Sequence, residues 1–69
     1  MADELAHLAQ ADGHIAGAKE RIHRQEQLIQ RLVSLGRNVD DAESLLSALT
    51  GALSAFERHR LLILNRLQP

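Results

Sequence analysis

Four histidines in 69 residues are the first side chains to weigh for chemistry. Glu20 and His23 stand three apart, the Glu-x-x-His spacing with which di-iron carboxylate bundles hold metal between helices. Two copies of the chain, each adding Glu57, would supply the carboxylates and imidazoles of such a centre. Its ligands must project into a bundle, however, and helical periodicity puts Glu20 and His23 on the face turned away from Ile22. His7 and His14 are two turns apart, too far for one ion without a third ligand between them. His59 falls on an apolar stripe and reads as a partly buried, hydrogen-bonded histidine; a pH-sensitive contact with His14 is its sharper alternative. These patterns assign no metal ligand.

Nucleophilic catalysis finds no support either. Ser34, Ser44, Ser47 and Ser54 have no base at a credible spacing, and no nucleophile elbow is present. Neither G-x-x-x-x-G-K nor G-x-G-x-x-G occurs, so no phosphate-cradling loop is expected. There is no cysteine, which removes thiolate chemistry, disulfides and cysteine metal sites. Phe56 is the sole aromatic residue, leaving little wall for a substrate pocket. The reading is a non-enzymatic protein with no catalytic residue and no cofactor.

What remains is a scaffold. Leu8, Ile15, Ile22 and Ile29 recur every seven residues, and Ala11, Ala18, Gln25 and Leu32 follow three places behind. An apolar heptad repeat of this length marks a helix whose stripe lies against other helices. Asp3 can cap its start, and Gly36 stands where a C-cap glycine belongs, so the first helix is expected over about residues 3–35. Residues 36–39 form a short loop. Asp40 opens the second helix, with Glu43 at capping-box spacing, and that helix runs to about residue 67, ahead of Pro69. Its stripe is Ala42, Leu45, Leu49, Ala52, Phe56, His59 and Ile63, widened along one edge by Leu46, Leu53 and Leu67. So short a loop makes the helices antiparallel neighbours. Asp3, Glu4 and Asp12 then meet Arg58, Arg60 and Arg66 at one end, a pattern that complementary dipoles and solvated ion pairs explain. Gly13 and Gly17 weaken the first helix or bend it; close approach by another chain is the alternative reading.

The predicted fold is therefore all-α: residues 1–69 form one antiparallel helical hairpin that dimerises into a four-helix bundle. The stripes are too wide for one neighbouring helix to cover, and a small domain without disulfides needs another staple. A closed two-fold dimer is the commonest solution. The seam comprises Leu8, Ile15, Ile22, Gln25, Ile29, Leu32, Leu45, Leu49, Phe56, His59 and Ile63. Gln25 is its uncharged polar member and needs a partner: its symmetry mate, His59 or water. The opening Met1-Ala2-Asp3-Glu4-Leu5 lacks the basic and apolar regions of a signal peptide, and Leu61–Leu64 is far too short to span a bilayer. These features read as a soluble, cytoplasmic protein without a membrane partner.

The expected role is that of a small interaction or regulatory module acting through its outer helix faces on a protein partner. The alternative is an RNA-binding hairpin dimer, using Arg21, Arg24 and Arg31 as a basic face. A net charge of −1, the acids at 40–43 and the lack of stacking aromatics count against it. The string His14-Ile15-Ala16, Arg21-Ile22, Gln25, Leu28-Ile29, Leu32, Gly36, Asp40, Ala42-Glu43, Leu45-Leu46, Leu49, Leu53, His59-Arg60, Ile63-Leu64 resembles short uncharacterised helical-hairpin proteins of alphaproteobacteria. That resemblance implies a bacterial helical hairpin and brings no activity or cofactor. In architecture alone the plan is similar to the plasmid-copy-control RNA-binding hairpin dimer, and a shared architecture does not carry function.

Overall fold

The computed structural model describes residues 3–68. Two helices, α1 (Glu4–Ser34) and α2 (Asp40–Leu67), pack against each other as an antiparallel hairpin. The molecule is a rod, 54 × 16 × 14 Å. Pro69, read as the stop for α2, lies outside the described residues, as do Met1 and Ala2.

Each helix end has a local cause. The Asp3 carboxylate accepts from the Ala6 N–H at 3.1 Å, satisfying one of the donors that a helix start leaves orphaned. At the other end of α1, Gly36 takes φ +68°, the left-handed conformation that suits glycine. There the Arg37 N–H reaches back to the Leu32 carbonyl at 2.9 Å, and the Gly36 N–H to the Val33 carbonyl at 3.0 Å. This paired closure is the Schellman motif.

The start of α2 departs from expectation. Asp40 and Glu43 do not form a capping box: Asp40 is already helical, and the cap residue, Val39, has no side-chain acceptor. Asn38 takes that role, its Oδ1 accepting from the Asp40 N–H at 2.7 Å. The Val39 carbonyl accepts from Glu43 N–H at 2.8 Å and begins the helical ladder. Gly13 and Gly17 do not interrupt α1, which runs unbroken through both.

The deepest line between the helices differs from the longest aliphatic ladder. On α1 it is Ala11, Ala18 and Gln25 that are buried, while Leu8, Ile15, Ile22 and Ile29 are half-buried beside them. Small side chains let the backbones approach, and the larger aliphatics are displaced to one edge of the contact. On α2 the covered positions are Ala42, Leu46, Leu49, Ala52, Leu53, Phe56, Arg60, Ile63 and Leu64, with Ile63 only 1% exposed. The intrachain seam therefore turns toward Leu46, Leu53 and Arg60, the edge that widens the stripe. Leu45, 51% exposed, and His59, also exposed, stand outside it. The turn follows from volume: Leu46 and Leu53 bury more apolar surface than the edge carrying His59.

Replacing Gly36 by alanine should lower stability by about 1 kcal/mol, because alanine must adopt an unfavourable positive φ. Thermal unfolding followed by circular dichroism measures this; an unchanged midpoint would mean that the cap contributes nothing.

Candidate functional site

The hairpin is tied at three levels by polar contacts that cross from α1 to α2. At the open end, Glu4 Oε2 lies 3.9 Å from Arg66 Nη1 and 3.9 Å from His7 Nδ1. That oxygen is buried and accepts no hydrogen bond from the described residues; the Arg66 guanidinium is the permanent charge facing it. Two turns further along α1, Arg60 Nε donates to Asp12 Oδ1 at 2.6 Å. Near the loop, Gln25 Nε2 donates to the Ala42 carbonyl at 2.9 Å. The first two are the acid–base pairings that the antiparallel arrangement predicts. The third corrects the expectation for Gln25: its partner is a backbone carbonyl of α2, not His59. The reason is level, since the first turn of α2 lies opposite Gln25.

His14 does not meet His59. Its ring packs on Phe56, with centroids 5.2 Å apart and planes tilted by 32°. Phe56 belongs to the covered face of α2, whereas His59 has rotated outward. Glu20 is exposed and pairs with Arg24 along the same helix, while His23 is exposed. Glu57 lies on the far side of the hairpin, in a groove with Asp12, Ile15, Lys19, Arg60 and Leu61. Among the described residues, no group of three or more His, Cys, Asp or Glu could hold a metal ion. Nor, among the described residues, is any helix long and apolar enough to cross a membrane.

The two helices leave a groove on each side. One holds Asp12, Ile15 and Lys19 from α1 with Glu57, Arg60 and Leu61 from α2. By helical period the whole ladder Leu8, Ile15, Ile22, Ile29 lies on this side, opposite Leu46 and Leu53. It is an aliphatic ledge along the rod. The other groove holds Gly13, His14, Gly17 and Arg21 from α1 with Leu49, Ala52 and Phe56 from α2. Arg24 and Arg31 flank it, both exposed. Of the remaining seam residues, Leu32, Leu49 and Phe56 are half-buried, and Gln25 and Ile63 are buried.

Gln25 offers a direct check. Ala42 lies in the first turn of α2, where its carbonyl already has a helical partner, so Gln25→Leu orphans no group. Its stability should stay within about 1 kcal/mol of the parent, whereas Gln25→Ala should cost about 1–3 kcal/mol through the lost packing. Chemical denaturation separates the two; a severe loss in Gln25→Leu would show that the amide hydrogen bond itself holds the hairpin. Compared with family models, curated proteins and solved structures, the chain finds no match, so its function must be argued from these two grooves.

Proposed function

We propose that this chain is a non-enzymatic interaction or regulatory module that works as a homodimer, two hairpins closing into a four-helix bundle. The observation that carries this reading is the aliphatic ledge. Leu8, Ile15, Ile22, Ile29, Leu46 and Leu53 are half-buried, so two helices cover only part of each. Leu5, Val33 and Leu61, each about 60% exposed or more, border the same side. In a four-helix bundle each helix packs on two neighbours, and its central core position lies between them. On α1 that position is the isoleucine ladder.

Surface area points the same way. The chain exposes 5313 Å². A compact monomer of its 7.6 kDa mass exposes about 4,300 Å². The excess, roughly 1,000 Å², exceeds the about 800 Å² per partner that a stable interface buries. The opposite groove has no aliphatic ladder on its α1 wall, where Gly13, His14, Gly17 and Arg21 stand, whereas the charged residues of the ledge groove, Asp12, Lys19, Glu57 and Arg60, lie beside a continuous one. The competing reading, an RNA binder using Arg21, Arg24 and Arg31, has those side chains exposed on one side, but Arg24 is already engaged by Glu20. It has the weaker support.

Sedimentation equilibrium should return twice the chain mass of 7.6 kDa. Ile22→Asp should raise the dissociation constant at least about a hundredfold, since two symmetry-related carboxylates would enter the packed core. If that variant unfolds, Ile22→Gln gives a milder test, and Leu45→Gln on the other side should leave the dimer intact. A compact wild-type monomer at every concentration would overturn the proposal. Dissociation by Leu45→Gln but not by Ile22→Gln would move the interface to the other side.

A further inference from the structure

A formal charge of −1 conceals a division of charge between the two sides of the hairpin. By helical period, Asp12, Glu26, Asp40, Glu43 and Glu57 lie on the ledge side, where Lys19 and Arg60 are the cations. The opposite side carries Arg21, Arg24 and Arg31 with His14 and His59. Asp3, at the open end, and Asp41 are the acids there, and Glu20, at its outer margin, is ion-paired with Arg24.

The basic side is also grooved. A trough of about 250 Å³ runs between the helices, floored by Gly13, Gly17 and Ala18 and walled by Leu49, Ala52 and Phe56. A Cβ added at Gly13 or Gly17 would meet nothing within 4 Å, so packing inside the hairpin does not require either glycine. Alanine would stabilise the helix at both positions. Leu28 and Leu45 are exposed above the same side, 41% and 51%. A surface with an apolar trough, exposed leucines and a row of guanidinium groups is complementary to a helix that is apolar on one stripe and acidic beside it.

We infer that this side docks an acidic amphipathic helix of a partner protein. Its apolar residues, spaced three and four apart, enter the trough over Gly13 and Gly17, and its carboxylates meet Arg21 and Arg31, Arg24 being paired with Glu20. Nucleic acid fits less well: Leu28 and Leu45 would lie beside phosphates, and Phe56 is packed against His14 rather than free to stack on a base. The chain's own acidic side matches in sign, but stacking it on the basic side is head-to-tail and tends toward open-ended filaments. The trough belongs to one hairpin, so the inference does not require dimerisation, and it is compatible with a dimer formed on the ledge.

The probe is a synthetic helical peptide of leucine and glutamate with leucines at positions i, i+3, i+4 and i+7. The control has the same composition with alternating leucines. Titrated into the isotope-labelled full chain, the helical peptide should shift the amide resonances of Gly13, Gly17, Leu49 and Ala52. The pair Arg21→Glu and Arg31→Glu should weaken binding roughly tenfold or more. Gly17→Leu, which fills the trough without changing charge, should weaken it comparably while circular dichroism reports an intact helix. Equal binding of the control, an unchanged affinity in Gly17→Leu, shifts centred on Ile15 and Ile22, or tighter binding of single-stranded RNA at the same residues would each overturn the inference.

Discussion

The approach of α1 to α2 along Ala11, Ala18 and Gln25 governs the rest of the molecule. Interhelical distance depends on the side chains at the point of closest contact. Alanine there lets the backbones come near, and Ile63, the largest fully buried side chain, fills the space that remains near the open end. Once the small column occupies the contact line, the isoleucine ladder one position round the helix cannot also lie on it. It is turned to one side with Leu46 and Leu53, and the glycines, histidines and arginines of α1 are turned to the other. Both grooves, and the division of charge between them, follow from that rotation.

The polar ties set alignment more than they add stability. Asp12 and Arg60 are half-exposed to exposed, and such pairs contribute on the order of 1 kcal/mol or less. Their value lies in position. Glu4 with Arg66, Asp12 with Arg60, and Gln25 with the Ala42 carbonyl fall at three heights along the rod. Sliding α2 by one turn would break all three together. Gln25 differs from the others because the residue as a whole is buried, so losing its partner would leave an enclosed amide unsatisfied.

Much of this architecture is legible in the residues. The heptad spacing, Asp3 and Gly36 locate α1 to within a residue, and the acids early in α1 and arginines late in α2 announce the antiparallel pairing. Three features are not legible, each for a physical reason. A heptad repeat marks a stripe but not the line of closest approach, which depends on side-chain volume on both helices; hence spacing assigns Leu45 and His59 to the seam, puts Leu46 only on its widened edge and leaves Arg60 off it. Capping by Asn38 rather than Asp40 depends on how the chain leaves Gly36, which residue spacing does not encode. The partner of Gln25 is a backbone atom, and backbone acceptors carry no residue signature. The sorting of charges between two sides becomes visible only when both helices are fixed in rotation.

Arg60 gives the proposed bundle a further property. It is half-buried at a ledge position equivalent to Leu46 and Leu53, where an aliphatic would bury more apolar surface. Its guanidinium is already neutralised by Asp12 of the same hairpin, so a second hairpin meets an ion pair rather than a bare cation. A polar layer in an otherwise aliphatic interface costs stability and penalises shifted alignments, because a slipped partner must press leucine or isoleucine against the charged pair. In the aligned bundle the symmetry-related layers can stay partly hydrated at the rim. A ledge made wholly of leucine and isoleucine would associate more tightly but in several registers; with Arg60 in place, a bundle of the proposed kind would favour one alignment over its neighbours.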